Sequence, residues 1–211
     1  MPISMNDFYA VLAWVLWCFL HSAMISISVT EYVKGKTGNR FRYYRLFYNF
    51  VSLATLIPLL YYSHTIRQTY VFRWEGPLVV VQSLIIATSL YLFLVGGRYY
   101  SWTHLWGIAQ IREGRSGHSL AEKNDFVVSG IHQIIRHPWY LGGIIIVWAN
   151  DLSVSTILIN IVVSIYFFIG SILEERKLVR EFGEKYREYQ QRVPMLIPWN
   201  LLKSRQVQST I

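Results

Sequence analysis

Long apolar runs restrict this chain more than any other feature of its sequence. The runs at 8–29, 46–62, 77–97 and 154–173 are each about the length of a helix that crosses a bilayer, whereas 139–150 is short for a lone span. Since backbone polar groups in lipid must be paired within their own segment, we expect these runs to be helical. The predicted fold is therefore an all-α integral membrane protein with about five transmembrane helices. The last two, joined by a turn at 151–153, form a helical hairpin.

Cations flank these runs unevenly, and this asymmetry predicts an orientation. The loops after the first and third runs and the region after Leu173 hold nearly all of the lysines and arginines, while the loop after the second run has only Arg67 and Arg73. The positive-inside rule then places the C-terminus in the cytosol of a multi-pass membrane protein. The net charge of +8 fits anionic lipid better than nucleic acid, because the chain shows no soluble nucleic-acid module.

Two polar segments, 98–136 and 174–199, are predicted to meet on the cytosolic face. In the second, Leu178, Phe182, Tyr186 and Tyr189 recur at helical spacing between charges, which predicts an amphipathic helix that ends near Val193. We expect three regions: an N-terminal three-helix transmembrane region (1–97), a core (98–199) and a flexible tail (200–211).

The stretch 124–143 is the strongest candidate for a functional site. Its centre, Arg136-His137-Pro138-Trp139-Tyr140, stands where the chain re-enters lipid. Pro138 suits the first turn of a helix because it fixes its own φ and lacks an N–H. The two glycines that follow allow another backbone or a ligand to approach closely. The pattern indicates a binding loop held at the membrane surface, with the next helix as one wall.

Two adjacent acids, Glu174 and Glu175, follow directly on an apolar run. One interpretation is that they begin a solvated helix, whose N-terminal dipole stabilises acids. The other is that they form part of a site, which is favoured if the helix continues unbroken from the membrane. His137 has a similar choice between contacting a ligand and bonding backbone at a helix entry. A single cysteine, Cys18, rules out a cysteine metal cluster, and no metal site is predicted.

Together, these motifs resemble the isoprenylcysteine carboxyl methyltransferase superfamily of membrane methyltransferases. The first block is Val128-Ser129-Gly130-Ile131 with 136–142, and the second runs from Glu174-Glu175 through Phe182-Gly183 to Pro198. Leu20-His21-Ser22, the run 44–49 and the Pro194–Pro198 ending resemble the methanethiol S-methyltransferase and NnrU-type branch, which is prokaryotic and implies an inner membrane.

The resemblance implies S-adenosylmethionine as cofactor and a site at matching positions. Its cofactor-binding residues would be Asn124, Asp125, Phe126, Val127, His132, His137, Pro138, Trp139, Tyr140 and Glu174. His132 departs from the family's usual tyrosine. Gly170 stands where the prenylcysteine enzymes carry a substrate-binding arginine, which favours a thiol or amine acceptor over a carboxylate.

For a thiol acceptor, His137 and Arg136 are the candidate catalytic residues, since the thiolate is the nucleophile and a base or a cation would promote its formation. The most favoured reaction is methanethiol-like S-methylation of a small or lipophilic thiol. The alternatives are methylation of a prenylcysteine carboxylate or of a lipid amine, and a non-catalytic NnrU-like accessory protein of the membrane.

Overall fold

A computed structural model describes residues 4–66, 69–98, 101–113, 128 and 130–200 of the chain. The regular secondary structure of these residues is helical apart from two short strands. The described residues form nine α-helices, in chain order: α1 (Met5–Ile25), α2 (Ile27–Thr37), α3 (Tyr44–Thr65), α4 (Leu78–Gly97), α5 (Trp102–Trp106), α6 (Ile108–Glu113), α7 (Pro138–Val147), α8 (Val154–Phe182) and α9 (Glu184–Arg192). Two 3₁₀ turns (Gly38–Tyr43 and Gly130–Gln133) and strands β1 (Tyr70–Phe72) and β2 (Leu152–Ser153) complete these elements.

Within the part of the chain that the structure describes, four helical segments are long and apolar enough to cross a membrane: Met5–Ile25, Ile27–Thr65, Leu78–Gly97 and Val154–Phe182. They indicate a multi-pass membrane protein, as the apolar runs predicted. Helix α7 has 10 residues, which is shorter than the length needed to cross the hydrocarbon core of a bilayer. Four of the about five predicted transmembrane helices thus have a counterpart in the structure, and the assignment of α7 as the fifth stays a prediction.

The first predicted run, 8–29, is wrong at its end because the helix breaks at Ser26. The Ser26 hydroxyl donates to the carbonyl of Ala23 (2.8 Å) and accepts from the backbone N–H of Val29 (3.3 Å). It thus closes α1 and caps α2. Serine competes for backbone hydrogen bonds in this way, which composition alone does not reveal.

The turn predicted at 151–153 is also wrong in part, because Leu152 and Ser153 form strand β2. They pair antiparallel with β1, with Tyr70 opposite Ser153 and Phe72 opposite Leu152. The β-branched and aromatic residues of β1 favour an extended chain, but their partner lies far away in sequence.

Contacts divide the chain into two compact units. The first holds the described residues of 1–73, 100–122 and 151–163, and the second those of 74–99, 123–150 and 164–211. The predicted regions 1–97 and 98–199 concern function and are not tested by this grouping. The predicted tail, 200–211, lies outside the described residues except for Asn200.

In the second unit, α7 packs closely against α4. Ser89, which is fully buried, donates to the carbonyl of Gly142 (2.8 Å), and the Trp139 indole donates to the carbonyl of Phe93 (2.9 Å). A Cβ on Gly96 would lie 2.6 Å from Cδ1 of Trp139. Small residues therefore bring the two backbones together, and the start of α7 is held firmly on α4.

Helix α8 runs unbroken for 29 residues, so Glu174 and Glu175 lie within it and not at its start. The helix-dipole explanation for these acids therefore fails. The helix ends before Gly183, whose φ of +61° suits glycine and starts a new direction for α9. The single amphipathic helix predicted from the sequence is thus two helices, although its end at Arg192 lies close to the predicted one.

Candidate active site

The site is built around the turn that leads into α7. Pro138 is the first residue of the helix, as its sequence context predicted, and its side chain is fully buried. Before it, the backbone N–H of Arg136 donates to the carbonyl of Pro194 (3.0 Å), and that of His137 donates to the carbonyl of Met195 (3.1 Å). Residues 190–195, here called the C-terminal strap, therefore hold the turn from the other side.

Glu175 is a buried carboxylate with three partners. The Arg136 Nε donates to its Oε1 (2.6 Å), the Gln190 amide donates to its Oε2 (2.7 Å), and the His137 Nε2 lies 3.2 Å from Oε1. Burying a charge is costly unless it is paired and its remaining lone pairs are satisfied. Here both oxygens are used, which makes Glu175 a fixed part of the structure.

Arg136 is held as firmly as its partner. Besides Glu175, its Nη1 donates to the carbonyl of Gln190 (2.8 Å) and to the carbonyl of Val193. Its side chain is only 9% exposed. The guanidinium thus connects α8, the C-terminal strap and the turn before α7.

Glu174 differs from its neighbour in sequence. Its side chain is 23% exposed, and its Oε2 lies 3.7 Å from the His137 Nδ1, which is longer than a hydrogen bond. A carboxylate in this position has lone pairs that a ligand can reach. Two adjacent acids therefore have separate environments, one closed and one open.

Tyr140 forms the aromatic side of the site. Its ring meets the His137 ring edge to face, with centroids 5.3 Å apart, and meets Phe167 in the same manner at 6.0 Å. A Cβ on Gly170 would stand 3.0 Å from Cε1 of Tyr140. The ring therefore occupies the space that a side chain at position 170 would need.

His132 lies on the far side of the turn and bonds to backbone. Its Nδ1 donates to the carbonyl of Arg136 (3.1 Å), and its own carbonyl accepts from the hydroxyl of Tyr189 (2.5 Å). Burial lowers the pKa of His132, and the bond to Arg136 opposes that shift. Burial also raises the pKa of the Tyr189 hydroxyl well above its usual range, so it stays a donor.

The structure brings together four predicted site residues: Arg136, His137, Tyr140 and Glu174. Trp139 and Pro138 adjoin them but pack toward α4, and His132 bonds to backbone. Asn124, Asp125, Phe126 and Val127 lie outside the described residues. The assignment of roles within this set stays a prediction.

The sequence singled out Glu174 and Glu175 together as acids that could form part of a site, but only Glu174 entered the predicted set, and Gln190 was not predicted. A signal for Glu175 was present, since two acids at the end of an apolar run require a cation, and Arg136 was already a candidate. Gln190 had no such signal, because an amide in a polar helix looks like a solvated residue.

A separate cavity of about 230 Å³ lies in the first unit between α1, α3 and α5. Trp17, Trp106 and leucines form most of its wall, and His21 reaches its edge while bonding to Ser52 (3.1 Å). Among the described residues, no group of three or more histidines, cysteines or acids could hold a metal ion.

Comparison with known proteins shows similarity to the NnrU family and to membrane methyltransferases. The family model described as "NnrU protein" matches residues 9–174. Methanethiol S-methyltransferase 1 of Bradyrhizobium diazoefficiens is 32% identical over 71% of this chain and 52% of its own length. Methanethiol S-methyltransferase 2 of the same organism is 29% identical over 71% of this chain and 58% of its length.

A relative from the prenylcysteine branch is the protein-S-isoprenylcysteine O-methyltransferase of Schizosaccharomyces pombe, which is 33% identical over 54% of this chain and 50% of its own length. The chain spans about half the length of these curated relatives. No solved structure matches it.

Proposed function

The chain belongs to the NnrU protein family, and we propose that it is a membrane methyltransferase that uses S-adenosylmethionine and methylates a small or lipophilic thiol. The resemblance noted in the sequence is confirmed at the level of the family. Relatives of about 30% identity are methanethiol S-methyltransferases. The observation that carries the proposal is the open carboxylate of Glu174 beside His137 and Tyr140.

The residues present fit this cofactor. Glu174 is partly exposed, and its Oε2 lies 3.7 Å from the His137 Nδ1, which is too far for a hydrogen bond. Its carboxylate would accept hydrogen bonds from ribose hydroxyls or from an ammonium group. Tyr140 offers an aromatic surface beside it for the adenosyl group. Residues 124–127, which the resemblance also assigns to the cofactor, lie outside the described residues, and their role stays a prediction.

A thiol is favoured over a carboxylate because the wall opposite Tyr140 has no cation. Gly170 occupies the position where the prenylcysteine enzymes carry arginine, and the Tyr140 ring fills the space above it. The run 164–173 contains no lysine or arginine. A negatively charged acceptor would therefore lack a partner there, whereas a small thiol that loses its proton within the site would not need one on entry.

When bound, S-adenosylmethionine supplies a methyl group already activated on a sulfonium. The protein has to orient the acceptor, exclude water and receive the thiol proton. His137, only 3% exposed, is the residue we assign to the proton. Arg136, the other predicted catalytic residue, is engaged by Glu175 and two carbonyls, and its catalytic role stays a prediction.

The finer topology belongs to the same proposal. Five transmembrane helices, with the short α7 paired with α8, place both polar segments and the C-terminus in the cytosol, where the cofactor is available. The membrane would be a prokaryotic inner membrane, and anionic lipids would contact the flanking cations.

The test is isothermal titration of the detergent-solubilised protein with S-adenosylmethionine and S-adenosylhomocysteine. We expect the native protein to bind both, Glu174→Ala to bind more weakly, and Glu188→Ala to bind like the native protein. Glu188 is a matched control because its side chain is 56% exposed and pairs only with Arg192 among the described residues. Full affinity in Glu174→Ala would refute the site.

Absence of binding by the native protein would refute the methyltransferase proposal and favour a non-catalytic accessory protein. If binding is present, a panel of thiols, prenylcysteines and amines identifies the acceptor. Turnover of a prenylcysteine carboxylate or a lipid amine, with none of a thiol, would overturn the acceptor part of the proposal.

A further inference from the structure

His137 lies between two neighbouring carboxylates that are held in different ways. Its Nε2 is 3.2 Å from Glu175 Oε1, and its Nδ1 is 3.7 Å from Glu174 Oε2. Both oxygens of Glu175 are engaged, while Glu174 is partly exposed. One ring nitrogen thus faces a fixed acceptor, and the other faces the open side of the site.

The hydrogen-bonding capacity of these groups selects one form of the ring. A carboxylate oxygen only accepts, so a hydrogen bond from His137 to Glu175 requires the proton on Nε2. A neutral imidazole has one N–H, and Nδ1 then carries a lone pair. We propose that Glu175 is a positioning residue that holds His137 as the Nε2–H tautomer, with its Nδ1 directed to the site.

Glu175 can do this because it is itself immobilised. Arg136 neutralises its charge at 2.6 Å, and the Gln190 amide fixes its second oxygen at 2.7 Å. Arg136 is fixed in turn by two carbonyls of the C-terminal strap. The orientation of His137 therefore depends on a chain of contacts that begins at residues 190–193.

This inference rests on the proposed function for its chemical meaning. A thiol sulfur that loses its proton to Nδ1 of His137 would keep the electron pair of the S–H bond. That pair would form the new bond to the methyl carbon as the bond from this carbon to the sulfonium sulfur breaks, and the electrons of the broken bond would stay on the departing thioether, S-adenosylhomocysteine. The ring then has an N–H at both nitrogens, and Glu175 stabilises the new positive charge by accepting from Nε2. Glu174 stays available to the cofactor.

The experiment is ¹⁵N NMR of the histidine ring nitrogens in micelles, at a pH where the ring is neutral, beside titration with S-adenosylhomocysteine. The spectrum of His137→Asn identifies the signals of His137. The variants are Glu175→Leu, Gln190→Met and the control Glu188→Gln. Glu175→Leu removes the acceptor for the Nε2–H, which the amide oxygen of a glutamine would retain. Gln190→Met removes one bond to Glu175 but keeps the carbonyl that accepts from Arg136, so it remains informative if Glu175→Leu fails to fold.

We expect the native His137 to show a protonated Nε2 and an unprotonated Nδ1. Glu175→Leu should lose this signature and weaken S-adenosylhomocysteine binding about tenfold or more, the size of effect found when groups that orient metal-binding histidines are replaced. Gln190→Met should change both in the same direction by less, and Glu188→Gln should change neither.

A native ring protonated at Nδ1, or a signature that survives in Glu175→Leu, would overturn the inference. A purely structural role for Glu175 would lower stability and leave the tautomer of the folded fraction in place, which also overturns it. Since the NMR measurement needs no ligand, it decides the inference even if the native protein binds no S-adenosylhomocysteine, the result that refutes the proposed function.

Discussion

Replacing Gly96 with alanine tests the close contact between α4 and α7. The added methyl carbon would lie 2.6 Å from Cδ1 of Trp139 and 3.0 Å from Cγ of Pro138. Carbon atoms pack best at about 3.5–4.0 Å, so the overlap approaches about 1 Å. The Trp139 ring cannot easily move aside, because its N–H is bonded to the carbonyl of Phe93 at 2.9 Å.

Two opposing effects decide the magnitude. Overpacking of a tight contact costs about 1–3 kcal/mol, whereas alanine in a helix interior gains about 0.5–1 kcal/mol over glycine. The difference is a net loss of about 0–2.5 kcal/mol, centred near 1 kcal/mol. For a chain of this size each kcal/mol lowers the melting temperature by about 2–4 °C, so the expected decrease is about 2–4 °C and at most about 10 °C.

The control is Gly35→Ala on α2, where a Cβ would meet nothing within 4 Å. This variant has only the helix-propensity gain and should melt at the native temperature or slightly above it. The assay is thermal unfolding in detergent at a fixed scan rate, with affinity for S-adenosylhomocysteine as a second measurement. If Gly96→Ala melts as high as Gly35→Ala, the close packing of α4 on α7 is refuted.

Three other predictions follow from the contacts of the site. Arg136→Met should lower the free energy of unfolding by about 3–5 kcal/mol, because it leaves the buried carboxylate of Glu175 without its cation. The double variant with Glu175→Met should recover part of that loss. Equal denaturant midpoints for the single and the double variant would contradict the pairing. Tyr189→Phe should lower stability by about 0.5–1.5 kcal/mol, or slightly more, through loss of its bond to the carbonyl of His132, whereas an unchanged melting temperature would contradict that bond. The pKa of His132 is lower in the folded protein than in the unfolded chain, so the unfolded chain binds more protons between these two pKa values. The contribution of His132 to the free energy of unfolding is therefore fully present above the unfolded pKa of about 6.5 and is lost as pH falls through the folded pKa. His132→Asn should flatten that part of the curve of melting temperature against pH, and an unaltered slope would contradict the assignment.

Much of the fold was predictable because its cause is local. Apolar runs of sufficient length become helices in lipid, and the start of α7 follows from Pro138 lacking an N–H. The break at Ser26 and the strand at Leu152 were not predicted. The first depends on one hydroxyl that competes for backbone bonds, and the second depends on a partner strand distant in sequence.

In the site, too, the features with a local cause were predicted from the sequence, and those that depend on distant residues were not. The arginine–histidine–proline turn and the first acid were recognisable as motifs, because their chemistry is local. The pairing of Arg136 with Glu175 joins the turn before α7 to α8, and Gln190 enters only when α9 folds back after Gly183. Such contacts depend on how the chain turns between helices, which periodicity does not describe.

The backbone bonds between residues 136–137 and residues 194–195 also set an order of events during synthesis. A ribosome releases all of the apolar runs before it releases Pro194 and Met195, so these backbone bonds can form only after the last apolar run has been made. Until then, the N–H groups of Arg136 and His137 lack these partners. A chain that stops shortly before Pro194 would therefore keep every apolar run but lack these two bonds.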